Sequence, residues 1–295
     1  MKLAKHNIFA RMNFPQQGPA EFIAEIERAG TRRATPAGQG EIVWRVFGRG
    51  DSVVLLHGGT GSWLHWVRNI EALSADFMLL VPDIPGSGES GNPEPPITAE
   101  RIAATLLAGL DIVIGVDTRF AIAGFSMGGL IAAHIAYLAG NRAHCLVLVG
   151  GTGMNVPRPT MEPLQSWRRL ATEEEKRAVH RRNLGILMIH EERNIDDLAV
   201  YIQSVNAAKS RVRGKHVSHT GALTRCLENF PGRLAGIWGE HDATAAPYLA
   251  ERRAMLQQFQ PSATFHILRG AGHWAQYEAH AAFNPLLRDV LKRNS

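Results

Sequence analysis

The sequence predicts an α/β fold class, a mostly parallel sheet flanked by helices on both faces and interrupted by one helical insertion, on three observations. Short apolar runs alternate with helix-like runs over most of the chain. The alternation stops from about residue 154 to 226, a stretch rich in long charged residues and free of strand patterns. It then resumes with two further strand patterns, each followed by a glycine-containing turn.

Residues 41–47 alternate as a half-buried strand, and Gly48, Gly50 and Asp51 supply the turn after it. Residues 52–56 and 77–81 are short continuous apolar runs, the pattern of strands buried on both faces, and residues 120–124, 143–149, 233–238 and 264–268 read as further strands. Helices are expected over 19–29, 66–73, 98–114, 127–139, 248–259 and 279–292, with Thr98 as an N-cap whose hydroxyl can accept an orphan amide.

At 295 residues, 45% hydrophobic and 20% charged, the chain has enough apolar surface for one large domain. The formal charge of +5 suits a small-molecule substrate that is anionic. No basic run carries interleaved aromatics, which excludes nucleic acid as a partner. No run reaches the roughly 18 apolar residues of a membrane span, and residues 1–17 lack the apolar stretch of a secretory signal. Cys145 and Cys226 belong to no metal-binding or CxxC spacing and read as two buried thiols in a reducing compartment. A cytoplasmic protein with no membrane partner, no metal and no cofactor is therefore expected. The oligomeric state stays open, with a homodimer among the arrangements allowed.

The stretch around which the chain is organised is Gly124-Phe125-Ser126-Met127-Gly128, between a strand pattern and a helix pattern. A GxSxG in that setting reads as the sharp turn that lifts a nucleophilic serine clear of a sheet. A serine hydroxyl needs a base, and the base needs a partner that fixes its tautomer. Asp242 lies just beyond the strand at 233–238, and His273 lies among glycines just beyond the last strand. All three should meet at the carboxyl edge of the sheet. Glu240 is the rival acid, His241 reads as incidental, and Asp83 precedes the serine in the chain and reads as structural. The turn His57-Gly58-Gly59-Thr60-Gly61 leaves amides unobstructed, so Gly59 and Met127 are the expected oxyanion-hole donors. Of the aromatic and methionine residues available for an acyl pocket, Phe125 and Trp274 are singled out because they adjoin Ser126 and His273.

The set HGGTG, GFSMGG, WGEHD and GHWAQYE resembles the α/β-hydrolase superfamily, in the serine, acid, histidine order of Ser126, Asp242 and His273. Within it, GHWAQYE together with Arg68-Asn69-Ile70 is similar to the meta-cleavage-product hydrolases, which cleave a carbon–carbon bond in 2-hydroxy-6-oxo-dienoates. The chain departs from that narrower pattern: its oxyanion loop is short, His65 stands at roughly the position of an asparagine, and Phe125 replaces a polar residue before the nucleophile. The resemblance implies an α/β-hydrolase fold with a helical cap inserted after the sixth strand, so that residues 1–153 and 227–295 form the core and 154–226 the cap. It also implies that Trp274 lines the pocket beside the base, and it places His65 among the substrate-binding residues. Basic residues of the cap, Arg168, Arg169, Arg181, Arg182, Lys209, Arg211, Arg213 and Lys215, include candidates for pairing with a substrate carboxylate. The function expected is a serine hydrolase of a small carbonyl substrate, a carboxylic ester or related acid-bearing compound. The alternatives are a carbon–carbon bond hydrolase and a non-catalytic small-molecule binding protein on the same scaffold.

Overall fold

The computed structural model describes residues 18–38, 40–212, 222–228 and 230–292. Eight strands form one sheet: β1 (Thr31–Ala37), β2 (Gly40–Phe47), β3 (Asp51–Leu56), β4 (Phe77–Pro82), β5 (Phe120–Phe125), β6 (Ala143–Val149), β7 (Arg233–Gly239) and β8 (Thr264–Leu268). Their spatial order is β1-β2-β4-β3-β5-β6-β7-β8. The first two strands run antiparallel to their neighbours, and β4 through β8 are joined by parallel pairs. Strands β3, β5 and β6 lie at the centre, which is why each reads as a mostly apolar, mostly buried run.

Strand β1 was not expected from the sequence. Its residues, TRRATPA, bury only Thr35 and Ala37, and it pairs along one side only. Arginines and a proline suit such an edge, because they discourage pairing with another chain, and they also erase the apolar alternation by which a strand is recognised. With β1 counted, the helical insertion follows the sixth strand.

Helices cover both faces. On one side lie α3 (Ala99–Ile114), α4 (Met127–Ala139) and α8 (Leu249–Phe259), with Leu106, Leu130 and Leu256 in one apolar cluster. On the other lie α1 (Pro19–Arg28), α2 (Ile70–Ser74), α9 (Ala275–Glu278) and α10 (His280–Lys292), with Ile26, Leu73, Tyr277 and Phe283 in a second cluster. The first ten residues of α4 are all buried, so its sequence is apolar all round instead of amphipathic. Thr98 caps α3 by accepting the Arg101 amide at 3.2 Å. The helix expected at 66–73 is split: Trp63–Trp66 form a 3-10 turn capped by Ser62, and α2 begins only at Ile70. Asn69, between them, donates to Gln276 O (2.8 Å) and Asn284 Oδ1 (2.7 Å), so distant polar partners decide where that helix starts.

Between β6 and β7 come α5 (Glu173–Leu187), α6 (Asp197–Lys209) and α7 (Ala222–Leu227). A capping box starts α5, with Thr172 accepting the Glu175 amide while the Glu175 carboxylate accepts the Thr172 amide. Leu184, Leu198 and Ile202 of α5 and α6 join the cluster of α1 and α10, whereas Leu223 and Leu227 of α7 join that of α4. Among the described residues no helix is long and apolar enough to cross a membrane. Residues 1–17, Arg213 and Lys215 lie outside the described residues.

A buried ion pair ties the sheet to the loops above it. Arg45 donates to Glu27 Oε1 (2.6 Å) and Asp83 Oδ2 (3.2 Å), while Asp83 also accepts the Trp63 and Glu89 amides at 2.9 and 3.0 Å. This accounts for Asp83, which holds the turn at Trp63 and makes no contact with a base. Arg45→Ala strands a buried carboxylate and is expected to destabilise the protein by about 3–5 kcal/mol, read as a lower urea midpoint at unchanged m-value.

Candidate active site

Ser126 sits between β5 and α4 at φ 53° and ψ −118°, a left-handed conformation that a non-glycine residue holds only at a cost of about 1–3 kcal/mol. The flanking glycines make the turn possible. A Cβ on Gly124 would lie 2.2 Å from the Gly128 carbonyl oxygen, and one on Gly128 would lie 2.3 Å from the His57 carbonyl oxygen. The Ser126 amide donates to Val149 O at 2.8 Å, which fastens the turn to the end of β6.

The residue after Val149 brings the acid and base alongside. Gly150, at φ 54°, has room for no side chain, since a Cβ would meet the His273 ring at 3.1 Å and Asp242 Oδ2 at 3.2 Å. His273 donates from Nδ1 to Asp242 Oδ2 at 2.9 Å, and both residues are buried. The other carboxylate oxygen, Oδ1, accepts the Thr244 amide and the Thr244 hydroxyl, each at 2.8 Å. Burial pushes the Asp242 carboxyl up, but the charge and hydrogen bond of His273 and the two Thr244 donors outweigh it and hold it below the usual range. With its proton held on Nδ1, the ring keeps Nε2 as an acceptor. Glu240 is exposed and accepts the Gly270 amide at 2.9 Å, and His241 is exposed beside it. Asp242, and not Glu240, is thus the partner of His273.

Gly59 and Met127 face each other across the turn, since a Cβ on Gly59 would come within 3.9 Å of the Met127 side chain. Among the described residues the Gly59 amide has no protein acceptor, and the Met127 amide belongs to the first turn of α4, where intrahelical acceptors do not exist. The neighbouring Gly58 amide is already used, donating to His65 Nδ1 at 3.2 Å.

That bond defines His65. Because Nδ1 accepts, the proton of the neutral ring lies on Nε2. Burial, with His57 and His273 nearby, holds its pKa well below the ordinary histidine value, so the ring stays neutral. It packs against Phe125 (centroids 5.3 Å) and Trp274 (5.1 Å), and Trp274 Nε1 donates to the His65 carbonyl at 2.9 Å. Phe125 in turn lies 4.9 Å from the His273 ring. Phe125 and Trp274 are buried, Phe125 against His65 and His273, Trp274 against His65 and Tyr277. His57 accepts the Ile84 amide on Nε2 (2.9 Å) and donates from Nδ1 to Gly58 O (2.8 Å), a brace under the same loop.

Among the described residues, the insertion's candidate cations lie away from the elbow's side chains. Arg168, Arg169, Arg181 and Arg182 are exposed. Arg177 and Arg181 pair with Asp197, Arg182 pairs with Glu162, and Arg168 stacks on Trp167. Arg211 donates to Asn92 Oδ1 and to the Gly88 and Ser90 carbonyls of the core. Pairs with acids of the same segment hold Arg177, Arg181 and Arg182 on a solvated outer face. An open groove of about 520 Å³ runs between the insertion, at Met161, Ile186 and His190, and the loop at His241, Asp242 and Ala246.

Sequence reasoning missed Thr244, Gly150 and Arg252. The Asp242-x-Thr244 spacing is one at which a turn carboxylate takes local donors, and could have flagged Thr244. Arg252, buried in α8, donates to the carbonyls of Thr244, Ala245 and Tyr248, fixing the loop that carries Asp242, and only the fold brings it there.

Comparison with known proteins agrees with this architecture. The chain is 29% identical over 297 residues to a 2-hydroxy-6-oxononadienedioate/2-hydroxy-6-oxononatrienedioate hydrolase of Cupriavidus pinatubonensis, covering 91% of this chain and 98% of that protein. It is 26% identical over 267 residues to a 2-hydroxy-6-oxo-6-phenylhexa-2,4-dienoate hydrolase of Burkholderia cepacia, covering 83% and 88%. Among solved structures it is similar to a meta-cleavage product hydrolase from Pseudomonas fluorescens IP01, with a TM-score of 0.70, 20% identity and coverage of 89% and 98%. It is also similar to an esterase from Rhodococcus sp. ECU1013, with a TM-score of 0.73, 18% identity and coverage of 90% and 100%. The model of the alpha/beta hydrolase family matches residues 53–286, a span that runs from β3 through the elbow and both loops of the acid and base, and the chain belongs to that family.

Proposed function

We propose that this enzyme is a serine hydrolase of a small carbonyl compound, most simply a carboxylic ester, working through Ser126, His273 and Asp242. The observation that carries the reading is the buried 2.9 Å bond from His273 Nδ1 to Asp242, set beside a serine held in a left-handed turn. His273 Nε2 takes the proton from Ser126, whose oxygen attacks the carbonyl carbon. The Gly59 and Met127 amides stabilise the oxyanion, and water then releases the acid while His273 returns the proton. In this reading the insertion over residues 154–226 serves as the lid. Two buried thiols, Cys145 pushed up to about 11 and Cys226 to about 12 by burial, suit work in the cytoplasm.

His65 presents a neutral N–H donor to the substrate, with Phe125 and Trp274 setting the ring's place. His65→Ala is expected to lower kcat/KM by about tenfold, the worth of one neutral hydrogen bond, and to lower the melting temperature as well, because it empties a buried site and leaves the Gly58 amide without its acceptor. A loss below twofold would remove His65 from the site.

A second reading is favoured by the relatives named as dienedioate and dienoate hydrolases. In it His273 also carries the proton for tautomerisation of a dienol before a carbon–carbon bond is cut. Parallel turnover of a short-chain p-nitrophenyl ester and a 2-hydroxy-6-oxo-dienoate, with Ser126→Ala as control, decides between the two. A dienoate preference of about a hundredfold in kcat/KM, roughly 2.7 kcal/mol, supports carbon–carbon hydrolysis, and an ester preference supports the first reading. A native protein that neither turns over substrate nor takes up a fluorophosphonate at Ser126 would leave only a binding protein.

A further inference from the structure

We infer that Glu278 is a positioning residue that makes the place of His273 depend on the docked insertion. The inference rests on His273 being the base. Glu278 ends the short helix α9, just after the base, and its carboxylate turns back to accept four N–H groups. Oε2 accepts the Gly272 amide at 2.7 Å and the His190 amide at 3.0 Å; Oε1 accepts the Glu191 amide at 2.8 Å and Asn194 Nδ2 at 3.3 Å. One oxygen therefore bridges the residue before His273 and the insertion segment that follows α5.

The residue after the base is fastened to the same segment. The Trp274 amide donates to Met188 O at 2.7 Å. His273 is thus flanked on both sides by links to residues 188–190, directly through the Trp274 amide and, on the Gly272 side, through the Glu278 carboxylate. The approach is close enough that Gly272 admits no side chain, since a Cβ would lie 2.7 Å from the His190 amide nitrogen and 3.0 Å from Met188 O. A second clamp lies one residue away, where the Tyr277 hydroxyl donates to Asp196 Oδ1 at 2.5 Å at the start of α6, with Arg68 paired to the same carboxylate.

Hydrogen bonds to a charged acceptor are stronger and shorter than neutral ones, and four on one carboxylate fix both its oxygens. This corner of the lid is consequently an anchor and not an opening edge. Access to Ser126 requires movement elsewhere in the insertion, and residues 188–194 stay with the base throughout turnover. A reactive group must be held within about 0.5 Å of its working geometry, so loosening the anchor acts on the chemical step more than on binding.

The test compares wild type, Glu278→Gln, Glu278→Asp and His273→Ala on a short-chain p-nitrophenyl ester, alongside the downfield proton resonance of the His273 Nδ1–H bond. Glutamine offers one acceptor oxygen and turns an NH2 toward two of the donors, whereas aspartate keeps the charge and both oxygens at a shorter reach. Glu278→Gln is expected to lose about thirtyfold in kcat with KM within threefold, and to broaden or lose the resonance; Glu278→Asp falls between it and wild type in both. A kcat for Glu278→Gln within threefold of wild type, or equal losses in the two variants with the resonance intact, overturns the inference. If the glutamine variant fails to fold, the kcat and resonance of Glu278→Asp decide. His273→Ala separates the two levels: if it stays active, the proposed mechanism falls, and if it is inactive while the Glu278 variants are normal, only the positioning role does.

Discussion

Ser126→Ala is expected to lower kcat on any accepted ester by about 10⁴-fold or more, with the fold unchanged. The residue is the only oxygen nucleophile at the turn between β5 and α4. Its loss leaves only the oxyanion donors and binding to accelerate the reaction. The melting temperature should barely move, because alanine carries the same Cβ and stays as strained as serine at φ 53°. Ser126→Gly is the informative companion: it should be equally inactive yet more stable by about 1 kcal/mol, since glycine adopts that conformation freely. Active-site titration with a fluorophosphonate, read by intact mass, together with thermal unfolding of the three proteins, checks both statements. A Ser126→Ala protein that retains a tenth of wild-type turnover would end the serine-hydrolase reading.

Asp242→Asn should cost nearly as much, about 10⁴-fold in kcat, and the reason is the tautomer of His273. Thr244 presents two donors to Oδ1, its amide and its hydroxyl, each at 2.8 Å. An asparagine must keep its oxygen on that side, which turns its NH2 toward His273 Nδ1. The imidazole then accepts on Nδ1 and carries its proton on Nε2, where it cannot take one from Ser126. Glu240→Gln is the control. Its carboxylate is exposed and bonded to the Gly270 amide, so its kcat/KM is expected to stay within about twofold. If Glu240→Gln were the damaging change and Asp242→Asn were harmless, the acid would have been misassigned.

The sequence carried the strands and the placement of the candidate residues for a physical reason. A strand buried on both faces must be apolar throughout, so β3, β5 and β6 declare themselves, and a serine lifted over a sheet needs glycines at fixed offsets, so Gly124 and Gly128 mark Ser126. Asp242 and His273 were legible because the ends of successive parallel strands fall at one edge of the sheet. The edge strand β1 was not legible, because only Thr35 and Ala37 are buried in it.

By itself, then, the sequence determined what local pattern and chain order can encode: the α/β class, the elbow, the two loops and the three side chains they carry. Tertiary structure alone decided the surroundings of His65, whose ring accepts the Gly58 amide and whose carbonyl accepts from a tryptophan 209 residues away. It alone decided that Arg177, Arg181 and Arg182 lie on acids of their own segment, and that Glu278 reaches amides up to 88 residues distant. The physical reason is that a hydrogen bond is selected by distance in space. No spacing along the chain records which amide a buried carboxylate or imidazole will meet once the sheet has brought the loops together.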